Sequence, residues 1–148
     1  MTRGEFKVTV DAPVDVVWPW VATLAKHAEW SSKPYRVEWI SGEPDQVGSR
    51  YRSVGAVPGD RNHVNEGEIT ERVERERFAL RADDKQGPFR NTYTLRPTDG
   101  GTEVTFEIVF PKMAFPKAQI GSVIFATVGS ADMRARMQKL KERVESGD

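Results

Sequence analysis

Six side chains that can form hydrogen bonds or transfer protons recur at alternate positions of strand-like segments. They are Tyr51, Ser53, His63, Asn65, Asn91 and Tyr93. Alternate residues of a strand point to the same face of a sheet, so Asn91 and Tyr93 are expected to share a face. A buried polar group without a partner costs about 1–3 kcal/mol. If this face is buried, the six side chains must bind one another, water or a ligand.

Three of these residues are candidates for catalysis, namely His63, Asn91 and Tyr93. A histidine titrates near neutral pH, which makes His63 the best general base among them. The alternative is that the polar side chains form a satisfied internal network around ordered water, because buried polar groups are normally paired. The sequence leaves both alternatives open.

Gly67 interrupts the longest predicted strand and indicates a bulge. Strict alternation points Glu66 and Glu68 outward, whereas a bulge at Gly67 would turn one of them inward, and Glu66 would then be the better acid or base. The second histidine, His27, falls near the end of a short helix and is predicted to lie at the surface or at the mouth of a cavity.

The elements that must position these residues follow from hydrophobic periodicity. Alternation and turn residues predict strands over 5–10, 35–39, 49–56, 62–73, 76–82, 89–95 and 102–110. Two short helices are predicted between the first two strands. Asp11 is expected to cap the first of them, Pro13 suits its first turn, and Pro19 is expected to kink or break it.

A last helix is predicted to begin near Lys117, with a bend or break at Gly129-Ser130. Its apolar positions follow a 3.6-residue period at Met133, Met137, Leu140 and Val144. A helix and an antiparallel sheet must bury each other's apolar faces, and this arrangement tends to leave a cavity between them. The class is therefore α+β.

The residues predicted to line this cavity follow from the seventh strand, which has one wholly apolar face at 104, 106, 108 and 110. The predicted ligand-binding residues are Trp39, Tyr51, Ser53, His63, Asn65, Asn91, Tyr93 and Phe106, with Met113 and Phe115 from the loop before the last helix. The four tryptophans could form an aromatic cage, but buried tryptophan more often belongs to the core. Arginines interleaved with glutamates are expected on the opposite face of the sheet, as cross-strand pairs.

Composition narrows the classes of function. The 148 residues are expected to form one domain over 1–148, and 22 basic residues balance 22 acidic ones, which argues against a nucleic-acid partner. The chain has no cysteine and two distant histidines, so neither a metal site nor a cofactor is predicted. No apolar run reaches the length of about 20 residues that a membrane span needs. A cytoplasmic location is expected.

Several short motifs occur in a fixed order along the chain: Ala12-Pro13-x-x-x-Val17-Trp18, His27-x-x-Trp30, Val47-Gly48-Ser49-Arg50-Tyr51, Glu76-Arg77-Phe78 and Gly100-Gly101-Thr102-x-Val104. Their order resembles that of the START-like (SRPBCC) superfamily, in particular its bacterial polyketide cyclase/dehydrase and lipid-transport branch. The resemblance implies a helix-grip fold, in which a seven-stranded antiparallel sheet wraps around a long C-terminal helix over an apolar cavity. It does not imply one chemistry, because members include carriers, cyclases, hydrolase-like enzymes and chaperone regulators.

The sequence is compatible with three functions. The first is binding of a small hydrophobic ligand, lipid-like or aromatic and polyketide-like, in the cavity. The second is a cyclase or dehydratase activity in the same cavity, and the third is a protein-interaction or chaperone-regulating role. Binding ranks first because the sequence shows no nucleophile, metal set or carboxylate pair. The oligomeric state stays open between monomer and homodimer.

Overall fold

Strands make up most of the protein in its computed structural model, which describes residues 2–31, 35–57, 60–84, 87–110 and 130–147. They are β1 (Thr2–Val10), β2 (Tyr35–Ser41), β3 (Arg50–Val57), β4 (Asp60–Val73), β5 (Arg77–Asp84), β6 (Gly87–Thr98) and β7 (Gly101–Phe110). All pairs are antiparallel, and the sheet order is β1-β7-β6-β5-β4-β3-β2. The seven predicted strands are confirmed, and β1 and β2 form the two edges.

Helical segments flank this sheet at two points of the chain. Helix α1 (Val14–Ala22) and a 3₁₀ helix (Leu24–Glu29) connect β1 to β2, and α2 (Ser130–Glu145) follows β7. The architecture is the α+β helix-grip fold with two short helices between the first strands. The predicted start of the last helix near Lys117, and the loop with Met113 and Phe115, lie outside the described residues.

A break of α1 at Pro19 and a cap at Asp11 are both wrong, whereas the alternative of a kink at Pro19 stays a prediction. The helix continues for three residues past Pro19, because its other face is held by the buried side chains of Val17 and Val21. The carbonyl that loses its donor at Pro19 belongs to Asp15, and both residues are exposed, so water can satisfy it. Asp11 does not cap the helix, because the N-cap position falls two residues later, on Pro13.

One face of the sheet carries the core, as strand alternation predicts. A row of aromatic side chains crosses four strands in register, from Phe6 to Phe106, Tyr93 and Phe78. Helix α2 covers this face with the buried side chains of Met137, Leu140 and Val144. The hydrophobic period of the last helix is therefore confirmed.

The opposite face of the sheet carries the expected cross-strand ion pairs. They include Arg52–Glu66 at 2.9 Å, Arg81–Glu68 at 3.3 Å, Arg96–Glu103 at 3.2 Å and Arg3–Glu107. The pairs of Glu66 and Glu68 show that both carboxylates point outward. Exposed pairs of this kind each contribute about 0–1 kcal/mol to stability, so they explain the arginines without a polyanionic partner.

The grip of α2 on the sheet can be tested by truncating Met137, whose side chain is 3% exposed. We expect Met137→Ala to lower the free energy of unfolding by about 2–5 kcal/mol, because it leaves a cavity in a packed core. Denaturant unfolding measures this loss. The matched control is Gln138→Ala on the solvent side of the same helix, which should change stability by about 0.5 kcal/mol or less. A loss below 1 kcal/mol for Met137→Ala would contradict the packing described here.

Candidate functional site

The centre of the concave face is an aromatic cluster. Tyr93 and Phe106 stack with ring centroids 4.7 Å apart, and both are 1% exposed. Burial raises the pKa of the Tyr93 phenol, so it stays protonated at neutral pH and acts as a hydrogen-bond donor. Two of the predicted site residues are therefore brought together, within a close-packed part of the core.

A second aromatic pair lies towards the β2 edge. The rings of Trp39 and Tyr51 make an edge contact at 5.8 Å, and burial raises the pKa of the Tyr51 phenol. Tyr51 faces Gly67 across β3 and β4, and a Cβ at Gly67 would lie 2.5 Å from the Tyr51 ring and 2.7 Å from the Arg81 carbonyl oxygen. The predicted bulge at Gly67 is wrong, because this glycine instead admits the Tyr51 ring. The register of β4 shifts two residues later, between Ile69 and Glu71.

The amides of Asn65 and Asn91 are the polar groups of this face with unmet hydrogen-bonding capacity. Each side-chain carbonyl oxygen is buried and has no hydrogen-bond partner among the described residues. Asn91 lies in register with Leu80 and Ile108, and Asn65 with the partly buried Ser53. Such oxygens require a donor from water or a ligand.

Three predicted site residues cannot be placed beside these. The backbone of His63 lies in β4 opposite Gly55, but its side chain is not described. Met113 and Phe115 fall outside the described residues altogether. Their roles stay predictions.

The other histidine, His27, is buried rather than at the surface as predicted, with 2% of its area exposed. Its ring lies 4.6 Å from Trp30 and 5.3 Å from Tyr93. Nε2 donates to the Val21 carbonyl at 2.7 Å. Burial outweighs this bond and lowers the pKa of His27 to about 3, so the imidazole is neutral at physiological pH. The signal was the i, i+3 spacing of His27 and Trp30, because residues three apart lie on one side of a 3₁₀ helix.

His27 belongs to a set of four side chains that donate to backbone carbonyls at the end of α1 and at the start of the 3₁₀ helix. The bonds are His27 to Val21 at 2.7 Å, Trp30 to Trp20 at 3.2 Å, Arg72 to Ala22 at 3.1 Å and Tyr35 to Leu24 at 3.2 Å. Carbonyls in the last turn of a helix have no partner within the helix, and here they belong to the buried residues Trp20, Val21 and Ala22. Side chains from the 3₁₀ helix, β2 and β4 satisfy them. Trp18, Trp20 and Trp30 are buried, which confirms their assignment to the core.

Sequence reasoning also missed Arg136 of α2. Its guanidinium carbon lies 4.9 Å from the Trp30 ring centroid, and its buried Nε has no partner in the part of the chain that the structure describes. The helical spacing of Met133, Leu140 and Arg143 around it indicated that Arg136 belongs beside the buried face of α2. An arginine there places a positive charge next to the aromatic cluster.

Other features of the described residues bear on the site. A groove of about 350 Å³ runs between β1 and α2, lined by Phe6, Val8 and Met137 among others, and none of the predicted site residues lines it. Within the same residues, no three His, Cys, Asp or Glu side chains are placed to hold a metal ion. None of the helices described is long and apolar enough to cross a membrane.

The neutrality of buried His27 predicts a pH dependence of stability. The folded chain does not bind the proton that an unfolded histidine takes up below a pKa of 6.5. The free energy of unfolding should therefore be highest above pH 6.5 and fall as the pH drops towards 3, by about 1.4 kcal/mol per pH unit. Urea unfolding of the native protein and of His27→Gln between pH 7 and 5 measures the difference. Equal slopes for the two proteins would contradict the assignment, since the carboxylates are common to both.

Comparison with families of known proteins adds to this geometry. The model of a family described as polyketide cyclase / dehydrase and lipid transport matches residues 1–145. Comparison with curated protein sequences finds no match.

Solved structures share the fold at low identity. A protein of Rhodobacter sphaeroides is 21% identical with a TM-score of 0.74, covering 99% of this chain and 94% of that one. A protein of Chromobacterium violaceum is 17% identical with a TM-score of 0.71, covering 98% and 99%. DynU16, from the dynemicin biosynthetic locus, is 21% identical with a TM-score of 0.68, and the match spans all of this chain but 49% of that one.

Proposed function

Because this chain belongs to the family of polyketide cyclases/dehydrases and lipid-transport proteins, we propose that it binds a small hydrophobic ligand between the concave face of its sheet and α2. The ligand is lipid-like, or aromatic and polyketide-like. The relation to DynU16, a protein of a biosynthetic locus, is in keeping with a small-molecule ligand.

The observation that carries this proposal is the pair of side-chain carbonyl oxygens of Asn65 and Asn91, which have no partner among the described residues and lie on a face made mainly of apolar and aromatic side chains. A folded protein leaves few buried polar atoms without a partner, because each costs about 1–3 kcal/mol. Ligand pockets are mainly apolar with a few polar groups that orient the guest. The two amides supply such groups, while Trp39 and Tyr51 supply an aromatic wall.

Blocking the concave face tests the proposal. The probe is N-phenyl-1-naphthylamine, a neutral fluorophore whose emission rises in apolar surroundings. We expect the native protein to bind it and Asn91→Phe to bind it at least tenfold more weakly, because the new ring occupies the ligand's space. The matched control is Arg90→Phe, which puts the same ring one residue away on the exposed face and should leave binding unchanged.

Ser53→Phe provides a second block from β3, for use if Asn91→Phe does not fold by circular dichroism. Absence of probe binding to the native protein, or equal binding by the blocked and control variants, would overturn the proposal. A protein-interaction role would instead need a contiguous apolar surface. The exposed large apolar residues among those described lie on α1, β2, β4 and the loop between β2 and β3; they are Val16, Ile40, Val47, Val64 and Val73.

A cyclase or dehydratase activity is the second candidate, and the buried phenol of Tyr93 is the observation that favours it. Its raised pKa keeps the phenol protonated, so that it can donate a hydrogen bond to a carbonyl oxygen, while Asn91 can orient a substrate but cannot transfer a proton. His63 remains the candidate base. If aromatic polyketide-like ketones are turned over, Tyr93→Phe should abolish turnover and keep binding of N-phenyl-1-naphthylamine within about twofold. Turnover that persists in Tyr93→Phe would exclude this role for the phenol.

A further inference from the structure

Two arginines of α2 each stack on a tryptophan, but only one of them has a carboxylate partner among the described residues. Arg136 and Arg143 are seven residues apart, about two helical turns, and each guanidinium lies over a tryptophan, at 4.9 Å from Trp30 and 5.3 Å from Trp20. Arg143 also donates to a Glu29 carboxylate oxygen at 2.9 Å. The Nη1 of Arg136 reaches the Met133 sulfur at 3.8 Å, a weak acceptor, and the guanidinium also hydrogen-bonds the neutral Tyr93 phenol. The buried Nε atoms of both arginines have no acceptor among the described residues, so the two positions differ in the carboxylate and not in Nε.

The groups that face Arg136 are electrically neutral. They are the phenols of Tyr35 and Tyr93, whose pKa values are raised mainly by burial, and the imidazole of His27, whose pKa is lowered mainly by burial. No carboxylate in the described part of the chain forms an ion pair with Arg136, although nine other arginines there have one. Arg50, Arg90 and Arg134 also have no such pair, but these three are exposed, whereas Arg136 is half-buried.

A half-buried charge without a carboxylate partner is unfavourable unless an anion or water binds it. A carboxylate fits best, because its two oxygens match the paired N–H groups of a guanidinium. At Arg143 the protein supplies that carboxylate from Glu29, and at Arg136 it supplies none among the residues described.

On the premise that the chain binds a hydrophobic ligand as proposed above, we propose that the ligand is an amphipathic carboxylic acid whose carboxylate binds Arg136. The apolar body lies against the concave face and the acid group against α2. One negative charge balances the single positive charge at this position. A phosphate monoester carries nearly two charges at pH 7, which would leave an excess negative charge among buried neutral groups.

The test compares a carboxylic acid with its own ester. The probes are cis-parinaric acid and its methyl ester, followed by fluorescence at pH 7.5, with dodecyl phosphate as a competitor. We expect the native protein to bind the acid roughly tenfold more tightly than the ester, as hydrogen bonds to charged groups allow. Arg136→Gln should lose this preference and bind the ester as the native protein does.

Arg143→Gln is the matched control, because it removes a guanidinium stacked on tryptophan from the same helix and should keep the acid preference. If the native protein bound the acid and the ester with equal affinity, that result alone would overturn the inference. Tighter binding of dodecyl phosphate than of the acid would overturn the assignment to a carboxylate. Binding of N-phenyl-1-naphthylamine decides the proposed function separately, so a protein that binds this neutral probe but shows no acid preference refutes the present inference alone.

Discussion

The buried end of α1 is the constraint on which the rest of the site depends. A helix that ends inside a protein leaves carbonyl groups without hydrogen-bond donors. At the end of α1, side chains from other parts of the chain donate to these carbonyls. The donors fix the 3₁₀ helix, the start of β2 and the Arg72 side chain against one another. Trp30 and His27 are thereby held against Tyr93, and the Arg136 guanidinium stacks on the Trp30 ring.

The sheet could be predicted from the sequence because one pattern, the alternation of apolar and polar side chains, recurs in every strand. Side chains alternate along every strand, so one apolar face on β7 fixes the facing of its neighbours, and Asn91 is found in register with buried Leu80 and Ile108. The buried face of helix α2 could be predicted for the same reason, since its apolar residues recur at the helical period.

The errors arose where a residue's surroundings are set by distant parts of the chain. A glycine in a strand predicts either a bulge or a close approach, and only the pairing of Gly67 with Tyr51 distinguishes them. His27 lies in a six-residue 3₁₀ helix that is too short to show a periodic apolar face. Arg136 is a surface-type residue by its chemistry, and its depth depends on where α2 crosses the sheet.

The position of β1 has a consequence for how the chain assembles. This first strand pairs with β7, so Phe6 meets Phe106 after a hundred residues of intervening sequence. Closing so long a loop is entropically costly, and contacts of this separation slow folding. During synthesis β1 has no partner strand until β7, the last strand of the sheet, has left the ribosome. We therefore expect closure of the sheet at β1 to come late, with the apolar side of a nascent strand dependent on chaperones until then.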